Sequence, residues 1–435
     1  MSSIRGMAAI LLLSSLAAAP AARAAGFYIK EHSAQGLGRA FAGVSAYAPD
    51  ASAVFFNPAA LTQLEEVTAT SSVYGLILDS EQQNNGTVRT VPGLDDPVPV
   101  PGTPGDNPFD PLIPLGNFYI AGPADDDGLY VGLGVTSPFG LNVKYNGDFF
   151  GRFDSLKSLL FTMNVQPTIA YKITDNISVG AGLDIQYAEV TLTNALPNLD
   201  PALGDGFFRV EGDDWNLSWN AGIHADLGNL QLGAHYRASV DYLIKGEATI
   251  RGLFGPLEPV NGFFEAAAPL TLPDIVSGGL VYSVPETGFR LLFDVTWFDW
   301  SDFDEIRIDL APGLNLGMPQ NYDDTWSFAL GGEYDINENF TVRAGTQYDQ
   351  TPTRDGFRTT RVPDGDRWWA AAGLSFRLSD RYSVDLSYAH VFVTNELIDV
   401  TEAFFEGTPA EVLVRTRSRN RGEADLVALG LTAQF

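Results

Sequence analysis

The chain has 435 residues, no cysteine, and 54 acidic against 26 basic residues, for a formal net charge of -28. An acid surplus of this size excludes a nucleic-acid-binding role, which needs clustered Lys and Arg. The missing cysteines exclude a disulfide framework, and with four scattered histidines no thiolate or Cys/His metal site is available. With 45% hydrophobic and 12% aromatic residues and 44 glycines, the composition suits a β protein with many turns better than a helical one.

Residues 1–24 read as a secretory signal: Arg5 in a short basic region, an apolar run from Met7 to Ala19, then Ala22-Arg23-Ala24 as a small-residue cleavage site. The run is too short for a spanning helix. Removing it takes away Arg5 and Arg23 and no acid, so the charge goes from -28 to -30. Beyond it no apolar run reaches the roughly 18 residues of a membrane helix, so any membrane span must be made of strands.

Residues 25–64 do not alternate. They carry Gly36, Gly38 and Gly43 in a small-residue stretch, then Asn57-Pro58-Ala59 after Phe56. A compact segment of this kind before a barrel has two homes, a tail outside or a plug inside. Asn57-Pro58 alone reads as an ordinary turn. Gly36 and Gly38 mimic a nucleotide loop only loosely, lacking the third glycine spacing and a preceding strand.

From residue 65 onward, period-two alternation dominates. The third strand runs through Leu129, Val131, Leu133 and Val135 and is interrupted by Ser137-Pro138-Phe139-Gly140. Proline removes a ladder donor and glycine relaxes the backbone, so this reads as a kink or as the strand's end. Ile177, Val179, Ala181, Leu183, Ile185 and Tyr187 alternate with polar or tiny residues, as do Trp215, Leu217, Trp219, Ala221 and Ile223. The same holds for Phe340 to Tyr348, and the final strand ends Val427, Leu429, Leu431, Ala433, Phe435.

Such alternation fits a soluble sandwich or a membrane barrel equally. Strand length and connections separate them. The strands have about 10 residues or more, as a tilted crossing requires. Connections alternate between short turns, such as 174–176 and 227–229, and long stretches at about 79–115, 144–160, 192–213, 246–273, 300–321, 350–366 and 394–418. Counting between them gives about fourteen antiparallel strands, with short periplasmic turns and long external loops.

The mature chain resembles the FadL family of long-chain fatty-acid transporters, most specifically in the run ending Asn57-Pro58-Ala59 and in Val362-Pro363-Asp364-Gly365-Asp366-Arg367-Trp368-Trp369. The resemblance implies an all-β, transmembrane antiparallel barrel of about fourteen strands, with residues 65–435 as the wall. It also implies a small N-terminal hatch at 25–64 containing Gly36, Gly38, Asn57, Pro58 and Ala59. A lumen this wide cannot be filled by its own side chains, so a plug would stop polar leakage. The resemblance further implies a lateral opening at the third-strand kink and ligand contact by the hatch, for which Phe27 is the candidate.

The stretches 144–160 and 246–273 carry Phe149, Phe150, Phe153, Leu253, Phe254, Phe263 and Phe264. Exposed, they would form a capture groove; otherwise they pack within the loops or join an aromatic girdle. Arg152, Lys157, Lys245 and Arg251 lie near those loops, but none is assigned to a carboxylate headgroup.

The functional expectation is passive uptake of hydrophobic molecules, foremost long-chain fatty acids, across a Gram-negative-type outer membrane, by a monomer with no cofactor and no metal. Hydrocarbon uptake by the same route and a general porin are the alternatives. Catalysis is not expected: no Ser sits in a Gly-x-Ser-x-Gly elbow, and His224 and His235 fall in the inward series of neighbouring strands.

Overall fold

The computed structural model describes residues 26–47, 49–311 and 314–435; the signal-like residues 1–24, with Ala25, lie outside them. Among the described residues the wall is a closed antiparallel barrel of fourteen strands. In chain order these are β1 (Thr68–Asn84), β2 (Ile113–Pro123), β3 (Leu129–Thr136 and Gly140–Lys144), β4 (Lys157–Lys172), β5 (Ile177–Leu196), β6 (Gly206–Asp226) and β7 (Leu230–Arg237 and Val240–Arg251). They continue as β8 (Gly262–Leu272 and Ile275–Val284), β9 (Phe289–Phe298 and Glu305–Leu310), β10 (Leu314–Pro319 and Thr325–Asn337), β11 (Phe340–Asp349), β12 (Arg367–Ser379), β13 (Tyr382–Val393 and Leu397–Phe404) and β14 (Val412–Gln434). Closure comes from β1 on β14, paired from Thr68↔Gln434 to Asn84↔Ser418.

Burial along the strands inverts the pattern of a soluble protein. On β6, Leu217 is 62% exposed and Trp215 and Trp219 just over half exposed, while the intervening Ser218 and Asn220 are buried. Apolar side chains out and polar side chains in is the arrangement that lipid outside and a polar lumen dictate. Higher on the same strand the two faces exchange character. Phe208 and Val210 are buried inside, and Arg209 and Glu211 stand outside in a surface ion pair.

That exchange corrects the expected loops. Much of 192–213, 246–273, 300–321 and 394–418 is strand, with β5 running to Leu196, β7 to Arg251, and β8 starting at Gly262. The wall continues beyond the belt because its ladder pairing does not depend on lipid, whereas the lipid-facing apolar series stops where water begins. Strand β14 has 23 residues, about twice the 9–11 that a crossing needs.

Residues 26–64 lie against the inner face of the wall. They hold two single-turn helices, Ala34–Leu37 and Ala53–Phe56, and a 3-10 turn, Pro58–Gln63. The inward polar residues of the wall are their partners. Glu333 on β10 receives Arg39 at 2.5 Å, Arg343 at 2.7 Å and Arg290 at 3.1 Å. Arg343 also donates to Gln35, whose amide donates to Asp385 at 3.2 Å. On the other side Arg237, ion-paired to Asp184, donates to the Phe55 carbonyl at 2.9 Å. Asp294 accepts from the Ser45 amide at 2.9 Å.

The sequence-assigned residues sit at the closest approaches. Asn57 is fully buried; its amide donates to the carbonyls of Ser45 at 2.7 Å and Ile223 at 3.1 Å, and its oxygen accepts from Ala59 N–H at 3.0 Å. Pro58 and Ala59 lie on Gly180 of β5, and Gly38 on Gly373 of β12. Gly36 is the third residue of the first helical turn. Glycines of the wall matter as much: a methyl group on Gly233 or Gly345 would fall on the carbonyl of Ser45 or Arg39.

Breaking a buried ion cluster by removing one member costs about 3–5 kcal/mol, because the remaining charges stay buried unpaired. Glu333→Ala is therefore expected to loosen residues 26–64 while leaving the wall folded. Limited proteolysis of the purified protein checks this: cleavage within 26–64 should speed up markedly, with the heat-modifiable barrel band unchanged. Asn57→Ala should act the same way more weakly.

Candidate functional site: an apolar cavity beside the broken third strand

The ladder between β2 and β3 runs from Pro123↔Tyr130 to Phe118↔Val135 and stops. Above that point β2 stays bonded to β1 through Ile113↔Leu76, and β3 keeps only β4. The pairing of β3 with β4 also slips. Thr136 faces Asn164, but after the break Gly140 faces Phe161. Four residues on from Thr136 are matched by three on β4, so β3 carries one extra residue, which makes a bulge and changes the face on which later side chains lie.

Phe139 consequently points inward and is buried. Thr162 of β4 steadies the turned-in backbone, its hydroxyl accepting from Phe139 N–H at 3.0 Å and donating to the Phe139 carbonyl at 2.7 Å. Ser137 donates to the Thr162 carbonyl at 2.7 Å. The N-terminal segment meets the break from inside: Ile29 N–H donates to the Pro138 carbonyl and Gly140 N–H to the Phe27 carbonyl, both at 2.9 Å. All four residues Ser137, Pro138, Phe139 and Gly140 thus lie at one fault in the wall.

Phe27 is held in place by the segment Val362–Trp369. Asp364 accepts from Gly26 N–H at 2.8 Å, and Arg367 donates to the Gly26 carbonyl at 3.3 Å and to Asp364 at 2.8 Å. The start of the N-terminal segment and the Val362–Trp369 stretch are in direct contact here. The Phe27 ring packs edge-on against Trp300 at 4.8 Å, Phe303 at 5.6 Å and Phe139 at 6.2 Å, a geometry the aromatic quadrupole favours.

Above Phe27 opens a cavity whose empty space, counted with its open mouth, is about 850 Å³. Its lining is almost wholly apolar: Leu160 of β4, Leu192 of β5, Val210 of β6, Ile244 of β7, Ala266 to Leu270 of β8, and Ile308 of β9. Most of these are inward residues of the upper strands, so the cavity is largely a product of the exchange in facial polarity above the belt.

One cation stands at this apolar wall. Arg361 lines the cavity and is buried; its Nη2 donates to Asn194 at 3.3 Å, while its Nε and Nη1 have no hydrogen-bond partner. Buried guanidinium donors normally find acceptors, so two open ones are an exception requiring a reason. The adjacent Thr360 donates its N–H and hydroxyl to Asp154, each at 2.5 Å. Burial pushes the Asp154 carboxyl up, and the field of Arg361 opposes that rise.

The loop aromatics are placed otherwise than expected. Phe149, Phe150 and Phe153 are fully buried and not exposed; Phe149 and Phe150 pack with Tyr145, and Phe153 with Val91, Val100 and Val414. None of them lines the cavity. They are packed within the connections themselves, since a ring fully exposed there would forfeit about 2 kcal/mol or more of burial. Phe254 is half exposed and Phe263 85% exposed, and they too stand outside the cavity lining. Among Arg152, Lys157, Lys245 and Arg251, none reaches the cavity; Arg152 pairs with Asp205 at 2.7 Å. His32, in the N-terminal segment, stacks on Phe55 at 3.8 Å, and burial holds its imidazole down at about 3, so it is neutral at any working pH.

A sequence profile of the outer membrane protein transport family (OMPP1/FadL/TodX) matches residues 15–435. The long-chain fatty acid transport protein of Salmonella typhi is 28% identical over 397 residues, covering 84% of this chain and 87% of that protein. Outer membrane protein P1 of Haemophilus influenzae is 24% identical over 469 residues, covering 98% of each. Among solved structures, a FadL homologue of Pseudomonas aeruginosa superposes with a TM-score of 0.82 at 24% identity, over 94% of this chain and all of that one. The toluene transporter TbuX of Ralstonia pickettii gives 0.65 at 16% identity, over 92% and 98%. The matched profile spans nearly the whole chain, and with it the barrel places the protein in the outer membrane: it belongs to the OMPP1/FadL/TodX family of transporters of hydrophobic compounds.

Proposed function

We propose that the chain takes up long-chain fatty acids, holding the acyl chain in the apolar cavity and the carboxylate at Arg361. The observation that carries this reading is the pair of unpartnered guanidinium donors at the edge of an otherwise apolar site. Each methylene moved from water is worth about 0.8 kcal/mol, so about ten buried methylenes gain on the order of 8 kcal/mol before immobilisation costs. A planar guanidinium with open donors suits a carboxylate bidentately. A neutral hydrocarbon would gain the first term alone and leave Arg361 unpaired.

In this reading residues 25–64 act as a hatch, with Phe27 as the floor of the site. Displacing Phe27 frees the backbone bonds to Pro138 and Gly140, so ligand arrival and the opening of the β2–β3 seam are one event. The ligand then leaves sideways through the seam into the membrane, avoiding an aqueous step, and diffusion alone drives it. No chemistry is performed on the cargo. A hydrocarbon channel is the second reading, supported by Asp154, which already compensates part of the Arg361 charge.

Two outcomes follow. Arg361→Ala is expected to weaken oleate binding to the purified protein about 10- to 100-fold, the worth of a charge-assisted hydrogen bond, and to change toluene binding by less than about threefold. Equal losses for both ligands would reject the headgroup role and favour the hydrocarbon reading. Deleting Ser137 removes the extra residue of β3 and lets the ladder to β4 continue in register. Cellular uptake of labelled oleate should fall at least about tenfold while binding in detergent persists; unchanged uptake would exclude the seam as the exit.

A further inference from the structure

The last strand carries a feature that transport does not use. Arg415, Arg417, Arg419 and Arg421 occupy every second position of β14, so all four lie on one face. The intervening Val414, Thr416, Ser418 and Asn420 are buried inside, and the arginine face continues downward as the lipid-facing Val427, Leu429 and Leu431. The arginines therefore point away from the lumen, on the membrane side of the wall, in a protein whose net charge is -28.

Their height is set by the neighbouring strands. Phe392 of β13 pairs with Glu423, and Trp368 of β12 with Phe392; both rings are about half exposed on the outer face. Outward aromatics of this kind mark the boundary between acyl chains and headgroups. Arg421 and Arg419 follow Glu423 toward the long-loop side, about 7 and 13 Å further along the strand at about 3.3 Å per residue. That is the headgroup layer of the external leaflet.

The four are not equivalent. Arg415 and Arg417 both engage Asp399, at 2.6 and 3.4 Å. Arg419 and Arg421 make no ion pair among the described residues, although Glu81 lies across the ladder from Arg421. The other acids of this face, Asp79, Glu423 and Asp425, lie nearer the apolar belt, and Asp425 is taken up by His390 at 2.8 Å and Tyr388 at 2.5 Å. A phosphate would settle above these acids.

We propose that Arg419 and Arg421 bind the phosphate of a glycolipid of the external leaflet. Arginine presents a donor fork that fits phosphate oxygens, and an occupant beside the aromatic girdle is itself membrane-anchored, which selects a lipid over a soluble phosphate. The test is native mass spectrometry of the full chain in detergent with a bisphosphorylated acylated disaccharide, the same glycolipid dephosphorylated, and phosphatidylglycerol. The wild type should retain the phosphorylated glycolipid, and the double variant Arg419→Ala/Arg421→Ala should lose at least about tenfold of it. The Arg419→Lys/Arg421→Lys variant should retain part, and Arg415→Ala/Arg417→Ala should behave as wild type. Equal retention by the alanine double variant or of the dephosphorylated glycolipid would overturn the site; equal retention of phosphatidylglycerol would overturn the glycolipid assignment. Should the alanine variant fail to fold, the comparison of phosphorylated with dephosphorylated glycolipid on the lysine variant decides.

Discussion

Hydrocarbon offers a peptide group no hydrogen-bond partner, so within the membrane every N–H and C=O must be paired inside the protein. A strand has unpaired edges, and the only complete solution with strands is a wall closed on itself. Here β14 on β1 supplies the closure. The same constraint makes any interruption conspicuous, and the β2–β3 seam is one. Its exposed groups are met partly by Thr162 and partly by Phe27 and Ile29 of the N-terminal segment. The lumenal segment and the fault in the wall are thus two halves of one hydrogen-bonding solution.

The surroundings of the wall change along its height, and the side chains change with them. Within the belt the outside is apolar and the inside largely polar; above it the outside is charged and, on the side of β4 to β9, the inside is apolar. The lower, polar interior holds the N-terminal segment through Glu333, Arg237 and Asp294. The upper, apolar interior is left with no protein to cover it, and the cavity is what remains. No residue is special in making that cavity; it results from the alternating pattern of β4 to β9 crossing a boundary between solvents.

This explains what could and could not be read from residues alone. The belt was legible because lipid imposes a strict alternation, as in Trp215, Leu217 and Trp219. The upper strands were not, because their apolar positions fall on the other face and their charged positions look like loop. Phe149, Phe150 and Phe153 carry no local sign of being roofed over, and only the folded connection shows it. The interruption at Pro138 was visible, but the one-residue slip against β4 depends on a partner strand and so has no signature in β3. Arg361 immediately precedes the Val362–Trp369 stretch, a position that could have raised it as a candidate; its burial and its open donors, which set it apart from Arg367, are tertiary facts. The glycines Gly233 and Gly345 are clearance for the Ser45 and Arg39 carbonyls, which strand sequence alone does not reveal.

The anchoring contacts of the N-terminal segment span most of the chain: Gly26 to Asp364, Arg39 to Glu333, and Ser45 to Asp294, separated by 338, 294 and 249 residues. Contacts so distant in sequence are late and slow to form. The N-terminal segment, which emerges early during synthesis, finds its seats only on strands that emerge much later. Until β9 to β13 are in place, the segment has nothing to lock onto, so the barrel must be nearly assembled around an unseated occupant. The order of construction, wall first and contents last, is written into which residues touch.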